Sequence, residues 1–289
     1  MILRVATCVP RQYWTRDEKI AWLDKALFEN PCDLFLLPQE YFGGGSMRFI
    51  CEQRGIVSDD WPVTLEWLEE NVGSLCAKYG VHIGVGASVE HGNIITEDYL
   101  YLSHKGKLLG SHSKIALPKQ DNIALGGASH ITPELDYGKA VQPIEIPDLG
   151  LRVGTVFCWQ VFFVDFWNDL MRQGANLVVH PIKFAPRAWY MKGMNANHEH
   201  VRTGFTQNKG SELPEDDTLG WIRKLLFESE FKQLPIAVSC NTWDGGEKFL
   251  ALHGWVDEVA HTTQLISTPS AADREAVLVI EYDPKLFDA

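Results

Sequence analysis

Gly150-Leu151-Arg152-Val153-Gly154-Thr155-Val156-Phe157-Cys158-Trp159-Gln160 is the stretch from which the fold can be read. It is apolar and β-branched with Gly154 inside it, the pattern of a buried strand, and it stops at a sulfur where an aromatic segment begins. A thiol is thereby carried to the carboxyl end of a strand. In an α/β sheet reactive groups collect at that edge, because the strand fixes the backbone and the following loop opens the side chain to a cleft. Taken alone, Cys158 is more often a small buried hydrophobe than a reactive group, since free cysteine is among the most buried residue types. The rest of the chain has to decide between the two.

Working outward, a helix is expected over 165–172, closed by Gly174, and an apolar strand over 175–180 leads to Pro181. Upstream, 141–146 reads as a strand. At the amino terminus an apolar strand is followed by Thr15-Arg16-Asp17-Glu18, a capping-box pattern, and by apolar residues at helical spacing over 16–29. Asn30-Pro31 ends that helix, and Asp33-Leu34-Phe35-Leu36-Leu37 is the continuous apolar run of a strand buried on both faces. A second amphipathic helix is expected over 61–79 with Gly80 at its end, then strands over 81–88, 94–102 and 108–115, the last two joined by Lys105-Gly106-Lys107. Residues 119–140 lack periodicity and read as an ordered loop. The polar segment 193–220 reads as a surface insertion or lid, 221–233 as a helix, and 235–240, 249–256, 262–267 and 277–282 as strands.

With 289 residues, 45% hydrophobic composition and 11% aromatics, the chain can bury a sizeable core, and without a linker or repeat it reads as a single domain over 1–289. A net charge of −12 without a long basic block excludes a nucleic-acid surface or an anionic-membrane anchor. No apolar run approaches membrane-spanning length, and the reading is a cytoplasmic protein. The six cysteines show no C-x-x-C pair, which points to free thiols rather than a disulfide frame or a zinc knuckle.

Alternating strands and helices with two meander-like strand sets fit an α/β fold in which two sheets are covered by helices, a four-layer α-β-β-α sandwich. Three strand ends each present a reactive side chain: Glu40, Lys114 and Cys158. A cation beside a thiol favours the thiolate and a carboxylate can take its proton, so the three together would form an activated nucleophile without a histidine. Two such charged residues in a generic α/β protein are as often a structural ion pair.

The chain resembles the nitrilase superfamily, the carbon-nitrogen hydrolases. Leu36-Leu37-Pro38-Gln39-Glu40-Tyr41-Phe42, Lys107-Leu108-Leu109-Gly110-Ser111-His112-Ser113-Lys114-Ile115-Ala116-Leu117 and Gly154-Thr155-Val156-Phe157-Cys158-Trp159 match its three motifs in order. Gly174-Ala175-Asn176-Leu177-Val178-Val179-His180-Pro181 continues the pattern, and 193–220 stands out as an insertion. Ser113, Gln160 and His253-Gly254-Trp255 depart from the family's usual residues.

The resemblance implies an enzyme that cleaves a small amide or nitrile through a cysteine thioester. In it Glu40 is the general base, Cys158 the nucleophile, and Lys114 with the backbone N–H of Trp159 the oxyanion donors. Glu134, with Asp136 as rival, would hold Lys114 and help pass the proton to the leaving amine. The resemblance calls for no cofactor and no metal, and it implies a homodimer or larger assembly. Tyr41, Trp159, Phe162 and Lys183 are candidates for the substrate wall, and core packing explains the aromatic ones equally well. His198-Glu199-His200 reads as solvated loop rather than a metal site, and Gly43-Gly44-Gly45 as flexibility beside Glu40. An acyltransferase using the same thioester and an inactive binding protein are the competing classes.

Overall fold

A computed structural model describes residues 1–10, 15–43, 62–115, 137–157, 160, 164–181, 233–239, 252–257, 262–267 and 275–284. The expected loop before 137, the insertion at 193–220 and the helix up to 232 lie outside the described residues.

Two six-stranded sheets are built to one plan. In the first, β1 (Leu3–Val9), β2 (Leu34–Leu36) and β3 (His82–His91) run parallel. β4 (Ile94–Leu102) and β5 (Leu108–Ser113) continue beyond β3 as an antiparallel meander, and β12 (Ala276–Tyr282) flanks β1 antiparallel. In the second, β7 (Leu151–Thr155), β8 (Leu177–Pro181) and β9 (Gln233–Ser239) are the parallel centre. There β6 (Ile144–Ile146) flanks β7, and β10 (Leu252–Asp257) with β11 (Thr262–Ser267) forms the meander on β9.

Strand alternation sorts the side chains into layers. Phe35 and Leu37 turn toward α1 (Arg16–Glu29) and α2 (Leu65–Tyr79), where they pack with Leu23, Leu27, Leu68 and Val72. Leu34 and Leu36 turn the other way, onto Tyr99, Tyr101, Val153, Phe157, Leu177 and Val179 from both sheets. This double burial is why β2 reads as an unbroken apolar run. The outer face of the second sheet carries α4 (Val164–Arg172); a Cβ at Gly154 would stand 2.9 Å from each Leu170 methyl, so the glycine lets the helix sit close. The result is the α-β-β-α sandwich that the sequence pattern predicts.

Polar bonds fasten the two sheets across this apolar layer. The hydroxyls of Tyr101 and Thr155 lie 2.6 Å apart, and the Tyr282 hydroxyl donates to the Asn176 carbonyl. At the opposite end of β3 from its exit, Asp148 Oδ2 meets His82 Nε2 at 2.8 Å and His104 Nδ1 at 2.9 Å. A carboxylate only accepts, so both rings donate there, which clasps the start of β3 and the β4–β5 turn to the 3₁₀ turn Pro147–Leu149 of the other sheet.

Several boundaries differ from the sequence reading. α1 starts and ends as predicted, with both bonds of the Thr15/Glu18 capping box present. α2 begins at Leu65, not at 61: Val63 bridges Val89, and the Thr64 side chain accepts from Trp67 N as the cap. Tertiary pairing of Val63 overrides the helical periodicity there. The stretch expected to be loop up to 140 ends in a helical turn, α3 (Tyr137–Ala140), and Gln233 belongs to β9 rather than to a helix. Cys8, Cys32 and Cys76 are free thiols, and among the described residues no helix is long and apolar enough to cross a membrane.

Three buried histidines make acid stability a test of this packing. Burial lowers His82 and His112, and pushes His180 from its ordinary 6.5 down to about 4, against the opposing bond to the Val156 carbonyl. With the folded value depressed, the unfolded chain takes up the proton first on acidification. Stability is therefore complete above about pH 6.5 and falls as pH drops toward 4, His180 alone accounting for about 3 kcal/mol. His91, raised by its bond to Asp98, opposes the trend. Urea unfolding from about pH 7.5 to about pH 5 should show a loss of about 2 kcal/mol or more, smaller in His180→Gln. An equal acid loss in that variant would remove His180 as the cause.

Candidate active site

The exit of β2 is held against β3 by backbone bonds from Leu37 N to Gly84 O (2.8 Å), Phe42 N to Gly86 O (3.2 Å) and Ser88 N to Phe42 O (3.1 Å). Between Leu37 and Phe42 the chain bulges out of the ladder, and there Glu40 takes a φ of 49°. A non-glycine residue in this left-handed region costs of order 1 kcal/mol or more and persists only where its surroundings impose it. Gly86 is part of that surrounding: a Cβ on it would lie 2.6 Å from Gln39 Cα and Pro38 O and 2.7 Å from Glu40 N. Tyr99, donating from its hydroxyl to the Leu37 carbonyl at 2.8 Å, fixes the bulge from the inter-sheet side. Glu40 is buried, as is Gln39.

Lys114 follows β5 directly, and its N–H donates to the Glu97 carbonyl at 2.8 Å, extending the β4–β5 ladder by one pair. That register sets Glu97 and Lys114 opposite each other. Lys114 Nζ lies 3.1 Å from Glu97 Oε2 and 3.4 Å from Oε1, with side-chain exposures of 0% and 1%. Glu97 Oε1 also accepts from Gln39 Nε2, so the β2 exit, β4 and the β5 end meet at one carboxylate. Removing one member of a buried ion pair costs about 3–5 kcal/mol, because its partner is left charged and dry.

From the second sheet, Val156 N donates to Val179 O at 2.9 Å and His180 Nδ1 donates to the Val156 carbonyl, tying the chain just beyond β7 to β8. Gln160, buried, closes on Phe157 from both sides: its N–H donates to the Phe157 carbonyl at 2.6 Å and its Oε1 accepts from Phe157 N at 3.0 Å.

Glu40 and Lys114 thus stand as buried groups at one edge of the first sheet, as the sequence predicts. Cys158, Trp159, Glu134, Asp136, Phe162 and Lys183 lie outside the described residues. The Tyr41 ring packs among Trp22 and Phe42 beneath α1, and its hydroxyl donates to the Lys19 carbonyl at 3.0 Å, so core packing accounts for it.

A sequence model of the carbon-nitrogen hydrolases matches residues 4–203. The chain belongs to that family. It is a carbon-nitrogen hydrolase enzyme. Solved structures share its fold: an amidase from Nesterenkonia sp., seen in a glutamate-to-glutamine variant with the acetamide moiety of fluoroacetamide added covalently at its active-site cysteine, is 15% identical, with a TM-score of 0.63 over 99% of this chain and 92% of that one. A carbon-nitrogen hydrolase from Helicobacter pylori is 14% identical, with a TM-score of 0.65 over 99% and 91%. A double variant of the Nesterenkonia amidase in complex with acrylamide gives 15% identity and a TM-score of 0.60 over 99% and 92%. No curated protein matches the hydrolase by sequence.

Two residues that meet Lys114 at the candidate site escape a sequence reading, Glu97 directly and Gln39 through it. Glu97 did carry a signal, since it is in phase with Tyr99 and Tyr101 on β4 and so turns a carboxylate toward an apolar layer. The tight approach at the β2 exit predicts that Gly86→Ala shifts the Glu40 bulge. It should lower stability by about 1–3 kcal/mol in denaturant unfolding and reduce activity further than the loss of folded protein explains. Wild-type stability in that variant would show that the approach can relax.

Proposed function

We propose that the enzyme hydrolyses the carbon–nitrogen bond of a small amide through a thioester on Cys158. The supporting observation is the register between the sheets. On β4, running away from the site edge, Tyr101 bonds to Thr155, and Tyr99 stacks edge-on to Phe157 with centroids 6.3 Å apart. Two residues back along β4 in the same phase, toward the site edge, is Glu97, paired with Lys114, and one residue beyond Phe157 in the chain is Cys158. The end of β7 is thus directed to the level where Glu40 and Lys114 are held.

In the proposed reaction Glu40 takes the thiol proton and the sulfur attacks the carbonyl carbon. Lys114 and the N–H of Trp159 receive the negative charge on the oxygen; one such donor is typically worth a hundredfold to a thousandfold in rate. Glu40 passes the thiol proton to the nitrogen as the intermediate collapses and the amine or ammonia departs, leaving the thioester and an ionised Glu40. Glu40 then removes a proton from water, which attacks the thioester and releases the acid and the thiol. The amide class is favoured over nitriles by the acetamide adduct and the acrylamide complex of the structurally similar amidase.

Burial pushes the Cys32 and Cys76 thiols up to about 12, so they form a silent background for thiol chemistry. Iodoacetamide at neutral pH should label Cys158 at least tenfold faster than either, read by peptide mass spectrometry. Cys158→Ala should retain the wild-type circular dichroism spectrum and lose all hydrolysis of amides that the wild type turns over. Turnover by that variant would eliminate the thioester route.

A further inference from the structure

Lys114 has to be aimed, and the carboxylate expected to hold it by resemblance is Glu134. We infer that in this protein Glu97 is the positioning residue for Lys114: a carboxylate delivered by the strand ladder itself holds the ammonium where it faces the nucleophile. The inference rests on the reading of Lys114 and Cys158 given above.

Three observations carry it. The pair is set by backbone, since Lys114 N–H donates to the Glu97 carbonyl and both side chains leave the same face of β4 and β5. Both Glu97 oxygens are within 3.4 Å of Nζ, so the head group is bracketed rather than touched at one point. Glu97 is itself held, through Oε1, by Gln39, whose neighbour in the chain is Glu40. The proposed general base, the proposed oxyanion donor and the group between them are therefore connected across the β2 exit, β4 and the end of β5. An ion pair that served stability alone would not have to meet the base's own backbone segment.

Glu97 does a second thing here. A buried ammonium without a counter-charge sheds its proton, and a neutral amine neither stabilises a thiolate nor donates as strongly to an oxyanion. Among the described residues, the carboxylate paired with Lys114 is Glu97 from β4, and Glu40 is next in the chain to the Gln39 that bonds it.

The test is the pH profile of Cys158 alkylation by iodoacetamide, followed by mass spectrometry, which needs no known substrate. Lys114→Met removes the cation and should move the profile to higher pH, slowing alkylation at pH 7 at least about tenfold. Glu97→Gln should reproduce that displacement, the double variant should add nothing to it, and Glu97→Asp should recover part of the wild-type rate. If Glu97→Gln does not fold, by circular dichroism, the comparison is made between Glu97→Asp and the double variant, in which no unpaired charge is buried. A profile in Glu97→Gln that is unchanged, or displaced to lower pH, with Lys114→Met effective, overturns the role of Glu97 alone. So does a wild-type profile in Glu97→Asp where that variant has to serve. If Lys114→Met is also without effect, the proposed function falls instead. A purely structural pair would change the unfolding midpoint and leave the alkylation profile where it was.

Discussion

An ammonium with no exposed surface must have its counter-charge built into the fold, and the placement of Lys114 against Glu97 is the constraint around which the site edge is arranged. Both groups are one rung of a ladder. A rung is fixed by the register of two strands, and the register is fixed in turn by the apolar phase of Tyr99 and Tyr101 against the second sheet. A slip of one residue would turn Glu97 to the helical face and bring Thr96 or Asp98 opposite Lys114. The same burial that makes the pair costly to break makes its geometry reproducible.

The two-sheet plan explains why buried charged groups gather at this edge. β2, β3 and β5 run toward it in the first sheet, and the rings of Tyr99 and Tyr101 against Phe157 and Thr155 show that β7 runs the same way in the second. The exits of β2 and β5 leave the inter-sheet layer at a level where apolar side chains give out and polar ones begin. Glycines permit the closeness: at Gly86 the β2 exit presses on the β3 backbone, and at Gly84 a Cβ would meet Leu36 and Tyr99 at 2.9 Å. Glu40 absorbs the remaining misfit in its φ of 49°.

How much of this a sequence can disclose depends on the range of the interaction. The first helix is legible to the residue because its signal is local chemistry: Thr15 and Glu18 satisfy each other's backbone donors whatever surrounds them. The start of α2 is not, because Val63 answers to Val89, a partner remote in the chain. Glu40 stands out because it follows an apolar run with a charge, and Lys114 because it is the charge at the end of a legible meander. Glu97 shows in its phase with Tyr99 and Tyr101, but its pairing with Lys114 is hidden by geometry. Counting back from the Lys105-Gly106-Lys107 turn in simple register sets Glu97 opposite Ser113, but the register shifts by one between Tyr101 and Leu102, and only the shifted ladder brings Glu97 to Lys114. An irregularity of that kind leaves no mark in composition or periodicity.

Where the fold tolerates imperfect bonding is also informative. Six buried side-chain atoms among the described residues lack a hydrogen-bond partner. Gln39 Oε1, Asp98 Oδ1, His112 Nδ1 and Gln160 Nε2 are four of them, each on a residue within two positions of Glu40, Glu97, Lys114 or Cys158. A buried polar atom left without a partner costs about 1–3 kcal/mol, comparable to the backbone strain at Glu40. A sequence selected for stability alone would have replaced these groups with apolar ones of the same volume, as it has along the rest of the inter-sheet layer. Their retention close in the chain to the charged pair contrasts in degree with the opposite end of β3, where the His–Asp–His clasp is bonded and His82 Nδ1 is left without a partner. One end is built to hold the sheets together and the other accepts a stability cost in order to keep polar groups dry and aimed.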